Sequence, residues 1–79
     1  MQILESERAY KIIFESILSG KITPDSPLSE RKLANYLGIG RMPIREALRY
    51  LARDGILEMV AARGTFVRRI SLKEIHDIF

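Results

Sequence analysis

Arg41, Arg45, Arg49 and Arg53 recur at intervals of four residues. On a helix each such step turns the side chain by about 40°, so the four make one slanting stripe, and the apolar Ile44, Ala47, Leu48 and Leu51 fall on another side. Guanidinium forks match phosphate oxygens and guanine edges better than lysine ammonium groups do. Arg41 and Arg45 sit near the start of the helix, where the positive end of the macrodipole disfavours a cation by roughly 0.3–1 kcal/mol. An anion is expected there. Unpaired backbone N–H groups beside two forks suit a phosphate, and base edges come within reach if the helix enters a major groove. Glu46 offsets part of the charge, as an intrahelical partner of Arg49 or an anchor of the turn.

Two smaller groups extend this chemistry. Arg31 and Lys32 open a preceding short helix and point about 100° apart, so only one faces a given strand; Arg31 is the preferred phosphate contact, against the alternative of two solvated charges. Arg63 beside Gly64 brings a guanidinium and a bare backbone together at a turn, a pairing that suits a minor groove, while Gly64 equally serves a turn that needs positive φ. Catalysis finds no support. His76 is the single histidine, without a second ligand at matching spacing, and no nucleophile–base pair, GxxxxGK or HExxH string occurs. Gly38-x-Gly40 lacks the preceding strand of a dinucleotide fingerprint. The chain is read as a non-enzyme that holds no cofactor or metal of its own.

The overall composition hides this signal. The 79 residues are 47% apolar and 29% charged, with 13 Lys plus Arg against 10 Asp plus Glu, a net charge of +3. Residues 1–30 carry −2, residues 31–69 carry +6 and residues 70–79 carry −1. Eight of the nine basic residues in the middle stretch are arginines, which favours a nucleic-acid partner over a merely solvated face. The length fits one domain burying roughly 60% of its unfolded surface, which leaves no room for a deep enzymatic cleft. Cysteine is absent, and no apolar run approaches the ~20 residues needed to span a bilayer. The first residues lack the basic and apolar regions of a signal peptide. A soluble, cytoplasmic protein without a membrane partner is expected.

The elements that position these residues follow from periodicity and punctuation. Ala9, Tyr10, Ile13, Phe14, Ile17 and Leu18 recur at helical spacing from about Ser6 to Ser19, and Gly20 ends the run. Two prolines and turn formers over residues 21–27 give a loop or short extended piece ending at Leu28. Ser29 caps a second helix to about Tyr36, burying Leu33, Ala34 and Leu37, and Gly38 stops it in a left-handed conformation. Pro43 is expected as the first residue of a third helix, closed by Gly55. Two β-prone runs, residues 56–60 and 65–70, flank a turn containing Gly64, a hairpin that follows the third helix as a wing. Ser71 to Glu74 form a capping box that starts a fourth helix. Its apolar Leu72, Ile75, Ile78 and Phe79 have no evident packing partner, so the chain reads as a fragment or these groups form a contact between copies. The expected class is mainly α with a small hairpin: a winged helix-turn-helix with a three-helix core, a wing and the start of a fourth helix.

The run from Leu28 to Leu51, LSERKLANYLGIGRMPIREALRYL, with Asp54-Gly-Ile-Leu and Arg63-Gly-Thr-Phe-Val67, resembles the GntR family of transcription regulators. The pattern LSE-x-x-LA-x-x-LG, Arg, P-x-REAL, DG and RGT-x-V covers nearly the whole chain. The resemblance implies a DNA-binding domain over residues 1–70 that recognises a palindromic operator as a homodimer in the full-length protein, often as a repressor. Residues 71–79 look like the link into the effector-binding domain of the FadR-like subfamily, and any effector or metal would belong to that absent domain. The resemblance also implies that Arg31 contacts the DNA backbone, that Arg41 and Arg45 read or clamp the major groove, and that Gly64 lies in the wing. Gly40 and Met42 occupy DNA-facing positions where many members carry hydroxyls, which removes a phosphate contact and an N-cap oxygen. Arg49 joins the set through the stripe, and Arg63 through its place at the turn. Asp25 replaces a usual glycine in the loop, a change a turn tolerates. The alternative from another class is a winged-helix protein-interaction module, motivated by the apolar C-terminal residues; it needs no arginine stripe at a helix start.

Overall fold

The computed structural model describes residues 4–69 as three helices followed by a two-stranded hairpin. Helix α1 spans Glu5–Leu18, with Glu5 and Glu7 in the first turn, where carboxylates oppose the helix dipole favourably. Ala9, Ile13 and Ile17, four residues apart, are its buried stripe. Helix α2 spans Glu30–Leu37. The Ser29 hydroxyl accepts the Lys32 N–H at 3.2 Å, and Gly38, at φ 67°, ends the helix in the left-handed region as expected. Only Ala34 of α2 is fully buried; Leu33 and Leu37 pack half-buried against the core.

Helix α3 spans Arg41–Arg53 and starts two residues earlier than the sequence suggests. Gly40 is its N-cap, and Pro43 is the third helical residue rather than the first. The proline is still harmless, because the first four N–H groups of a helix have no intrahelical acceptor and the missing one is among them. Ile44, Ala47, Leu48 and Leu51 bury the opposite side of α3 against α1 and the hairpin. Ile13, Ile17, Ile44, Leu51 and Leu57 are the largest fully buried side chains, each contributing about 1.5–3 kcal/mol of transfer free energy.

Strands β1, Leu57–Val60, and β2, Gly64–Val67, pair antiparallel, with Leu57 opposite Val67 and Val60 opposite Gly64. The pairing is shorter than the β-prone runs, and the turn lies ahead of Gly64, over Ala61, Ala62 and Arg63. The Arg63 N–H closes it onto the Val60 carbonyl at 3.0 Å. Ala62, at φ 65°, takes the left-handed position, which costs an L-residue roughly 1–2 kcal/mol. Gly64 at φ 117° also lies where side chains are strained, so its lack of a Cβ serves the backbone in the first strand position. The Leu28 N–H donates to the Thr65 carbonyl at 2.8 Å, an isolated bridge that fixes the start of α2 against the wing. The expected capping box at Ser71, the fourth helix with Leu72, Ile75, Ile78 and Phe79, and His76 lie outside the described residues.

Candidate nucleic-acid interface

The second and third helices and the wing enclose an open groove of about 850 Å³. Arg31 reaches it from α2, Arg41, Arg45 and Arg49 from α3, and Gly64 and Thr65 form the wing side. Five of the eight candidate residues are thus brought to one surface. Arg41 and Arg45 expose 62% and 57% of their side chains, so both forks are open to a ligand. The first turn of α3 holds no acid and no side chain caps it. The N–H groups of Arg41 and Met42 therefore have no intrahelical acceptor and point to the same end as the two forks.

The anion expected at that end comes in part from the protein itself. Glu30, the first residue of α2, extends its carboxylate across to α3. Both of its oxygens accept from Arg45: Nε lies 3.2 Å from Oε1 and 3.1 Å from Oε2, and Nη2 lies 3.1 Å from Oε1. Arg41 Nη2 stands 3.9 Å from the same carboxylate. The Glu30 hydrogen bond, and then its charge, raises the pKa of Arg45 above its ordinary value. Sequence spacing carries no hint of this pair, because fifteen residues and two helix ends separate the partners. A lone acid after an N-cap serine reads simply as a favourable charge at a helix start.

The arginine stripe divides along its length. Arg49 lines the groove with its guanidinium 5.7 Å from the Tyr50 ring centroid, whereas Arg53 lies 4.9 Å over that ring and bonds Asp54 Oδ1 at 3.1 Å. Arg53 thus belongs to the junction with α1 rather than to the groove. Glu46 accepts a hydrogen bond from the Tyr50 hydroxyl at 3.1 Å, so its partner is Tyr50 and not Arg49. Gly40 is the N-cap of α3, beside the groove. Met42 projects from the side of α3 opposite the core and is 70% exposed. Arg63 stands at the hairpin turn and lines a separate hollow with Phe66 and Arg68. Two of the basic residues serve the fold: Arg68 Nη1 donates to the Gly55 carbonyl at 3.3 Å, and Arg69 pairs with Asp25. Met59, 78% exposed on β1, also borders the groove, a position that only the strand register reveals.

Residues 5–67 match the family described as bacterial regulatory proteins, gntR family. The HTH-type transcriptional repressor RspR of Escherichia coli (strain K12) is 31% identical over 72 residues, which are 91% of this chain and 32% of that protein. The HTH-type transcriptional repressor NagR of Bacillus subtilis (strain 168) is 42% identical over 59 residues, 73% of this chain and 24% of NagR. The chain thus spans a third or less of the length of these curated relatives. Among solved structures, the DNA-binding domain of AraR in complex with operator ORR3 superposes with a TM-score of 0.74 at 32% identity, covering 86% of this chain and 83% of that one. The helix order and the wing agree with the likeness to this solved structure. The chain belongs to the GntR family of bacterial regulatory proteins.

Proposed function

We propose that this chain binds double-stranded DNA sequence-specifically, with α3 in the major groove and the wing against the neighbouring backbone or minor groove. The observation that carries the proposal is the convergence of Arg31, Arg41, Arg45 and Arg49 from two helices on one open groove. In this reading Arg45 reads a guanine edge, Arg41 and Arg49 clamp phosphates or neighbouring bases, and Arg31 contacts the backbone of one strand. Gly40 and the N–H groups after it admit a phosphate close to the start of α3. Met42 faces the base edges, and Arg63 and Gly64 carry the wing contact. The AraR DNA-binding domain, of the same fold, is seen in complex with an operator, which supports DNA binding by this face of the fold. The full-length regulator is proposed to act in the cytoplasm as a homodimer on a palindromic operator, with any effector bound outside this domain.

Selection from a random duplex library, followed by gel-shift titration, tests the proposal. The wild-type chain should enrich one half-site sequence. Arg45→Ala should cost about 1–3 kcal/mol on the selected duplex with loss of base preference, and Arg31→Ala should weaken selected and scrambled duplexes alike. Equal affinity of wild type and Arg45→Ala for both duplexes would sink the readout claim.

A further inference from the structure

A guanidinium has five N–H donors on two usable edges, a side edge of Nε and one Nη and an end edge of the two Nη groups. In Arg45 the side edge is spent. Glu30 accepts from Nε at 3.1–3.2 Å and from Nη2 at 3.1 Å, while the end edge, one hydrogen each of Nη1 and Nη2, remains unused. That free edge presents two parallel donors, which can meet guanine O6 and N7 together. Glu30 is held in turn: its α2 start is capped by Ser29 and tied through Leu28 to the wing. The carboxylate therefore comes from a fixed backbone and sets the orientation of a long, otherwise solvated side chain.

We propose that Glu30 is a positioning residue for base readout: it holds Arg45 by the side edge so that the end edge meets a guanine, and it opposes binding to DNA of unrelated sequence. The inference rests on the DNA-binding reading above. Orientation without Glu30 has to be achieved during binding, at the entropic cost of immobilising one rotamer-rich side chain. A negative charge inside the groove also weakens contacts with phosphates of any sequence. The charge acts alike on matched and unmatched DNA, whereas orientation acts on matched DNA alone, so the change in preference separates positioning from a merely structural role.

The test uses the 79-residue chain, the duplex that wild type selects from a random library, and a scrambled duplex of the same composition. Glu30→Gln should bind the scrambled duplex as tightly as wild type or tighter, with a salt slope steeper by roughly 0.9. Its preference for the selected duplex should fall about 2- to 10-fold. Glu30→Asp keeps the charge at the start of α2 but shortens the reach to Arg45, and should lose preference likewise. In an Arg45→Ala background Glu30→Gln should leave the preference unchanged. Parallel weakening on both duplexes, matching a loss of thermal stability, overturns the proposal, and so does an undiminished preference in Glu30→Gln. A wild-type chain that binds both duplexes equally overturns the DNA-reading function and this inference with it. A discriminating wild type beside an equally discriminating Glu30→Gln overturns this inference alone.

Discussion

Met42 is a flexible thioether chain placed on the outer side of α3 between two arginines and left 70% exposed. Burying it in the core is impossible at that helical angle, because Ile44, Ala47 and Leu51 occupy the other side of the same helix. If α3 enters the major groove as proposed, an apolar group among cations there suits the 5-methyl group of thymine, which is the apolar feature of that groove. Replacing thymine by uracil throughout the selected half-site should weaken wild-type binding by a few fold, the size expected for about 0.8 kcal/mol per methyl group removed from contact. Met42→Ala should be indifferent to the replacement. Equal losses for both proteins in gel-shift titrations would assign the methyl contact to another residue.

Polar contacts at the ends of the elements add to the apolar core between them. Tyr10 of α1 donates its hydroxyl to Asp54 Oδ2 at 2.6 Å, just beyond the end of α3, and Asp54 also accepts from Arg53. Burial, and then the Asp54 hydrogen bond, push the Tyr10 phenol up to about 12, while the Tyr10 and Arg53 hydrogen bonds hold the Asp54 carboxyl below its ordinary range. Tyr10→Phe should therefore lower stability by about 1 kcal/mol near neutral pH. The raised phenol sets the sign at the alkaline end. The unfolded hydroxyl ionises at its ordinary 10.0 and the folded one holds its proton to about 12, so its stabilisation is whole below pH 10.0 and lost as pH rises toward 12. At the acid end the depressed Asp54 works the other way, with its contribution present above the unfolded carboxylate range and lost as pH falls through the folded one. Urea unfolding of wild type and Tyr10→Phe across both ranges should show the difference narrowing at each end; a constant difference would remove this contact from the pH dependence.

At the scale of the whole molecule, the +3 net charge matters less than its placement. Arg31, Arg41, Arg45, Arg49 and Arg63 lie on the groove and wing side, whereas Arg53, Arg68 and Arg69 are spent on internal partners. With Arg45 assigned to a base edge, about four of these groups are directed at phosphates, so log K should fall with log salt at a slope between about −3 and −4. A slope near zero in filter-binding titrations would exclude phosphate contacts. The molecule is 32 Å in its longest dimension, about one turn of B-DNA, a size that suits one half-site per copy under the proposed reading.

Local chemistry fixed most of the architecture in advance. The four-residue spacing of Ala9, Ile13 and Ile17, the Ser29 cap, the Gly38 stop and the β-prone runs around Leu57 and Val67 each act over a few residues, so their outcome is written in short stretches of chain. The arginine stripe was legible for the same reason. The early start of α3 at Arg41 and the turn at Ala62 were not, because any of the first four helical positions accepts Pro43 and tertiary pairing of Val60 with Gly64 overrides alanine's dislike of positive φ. What folding alone decided is which charges are free. Bringing α2 beside α3 gave Arg45 a carboxylate from fifteen residues away, packing α1 against the end of α3 gave Asp54 the Tyr10 hydroxyl from 44 residues away, and Met42 and Met59 were left on the outside. Such pairings depend on distances of a few ångströms between segments remote in sequence, and only the packed core sets those distances.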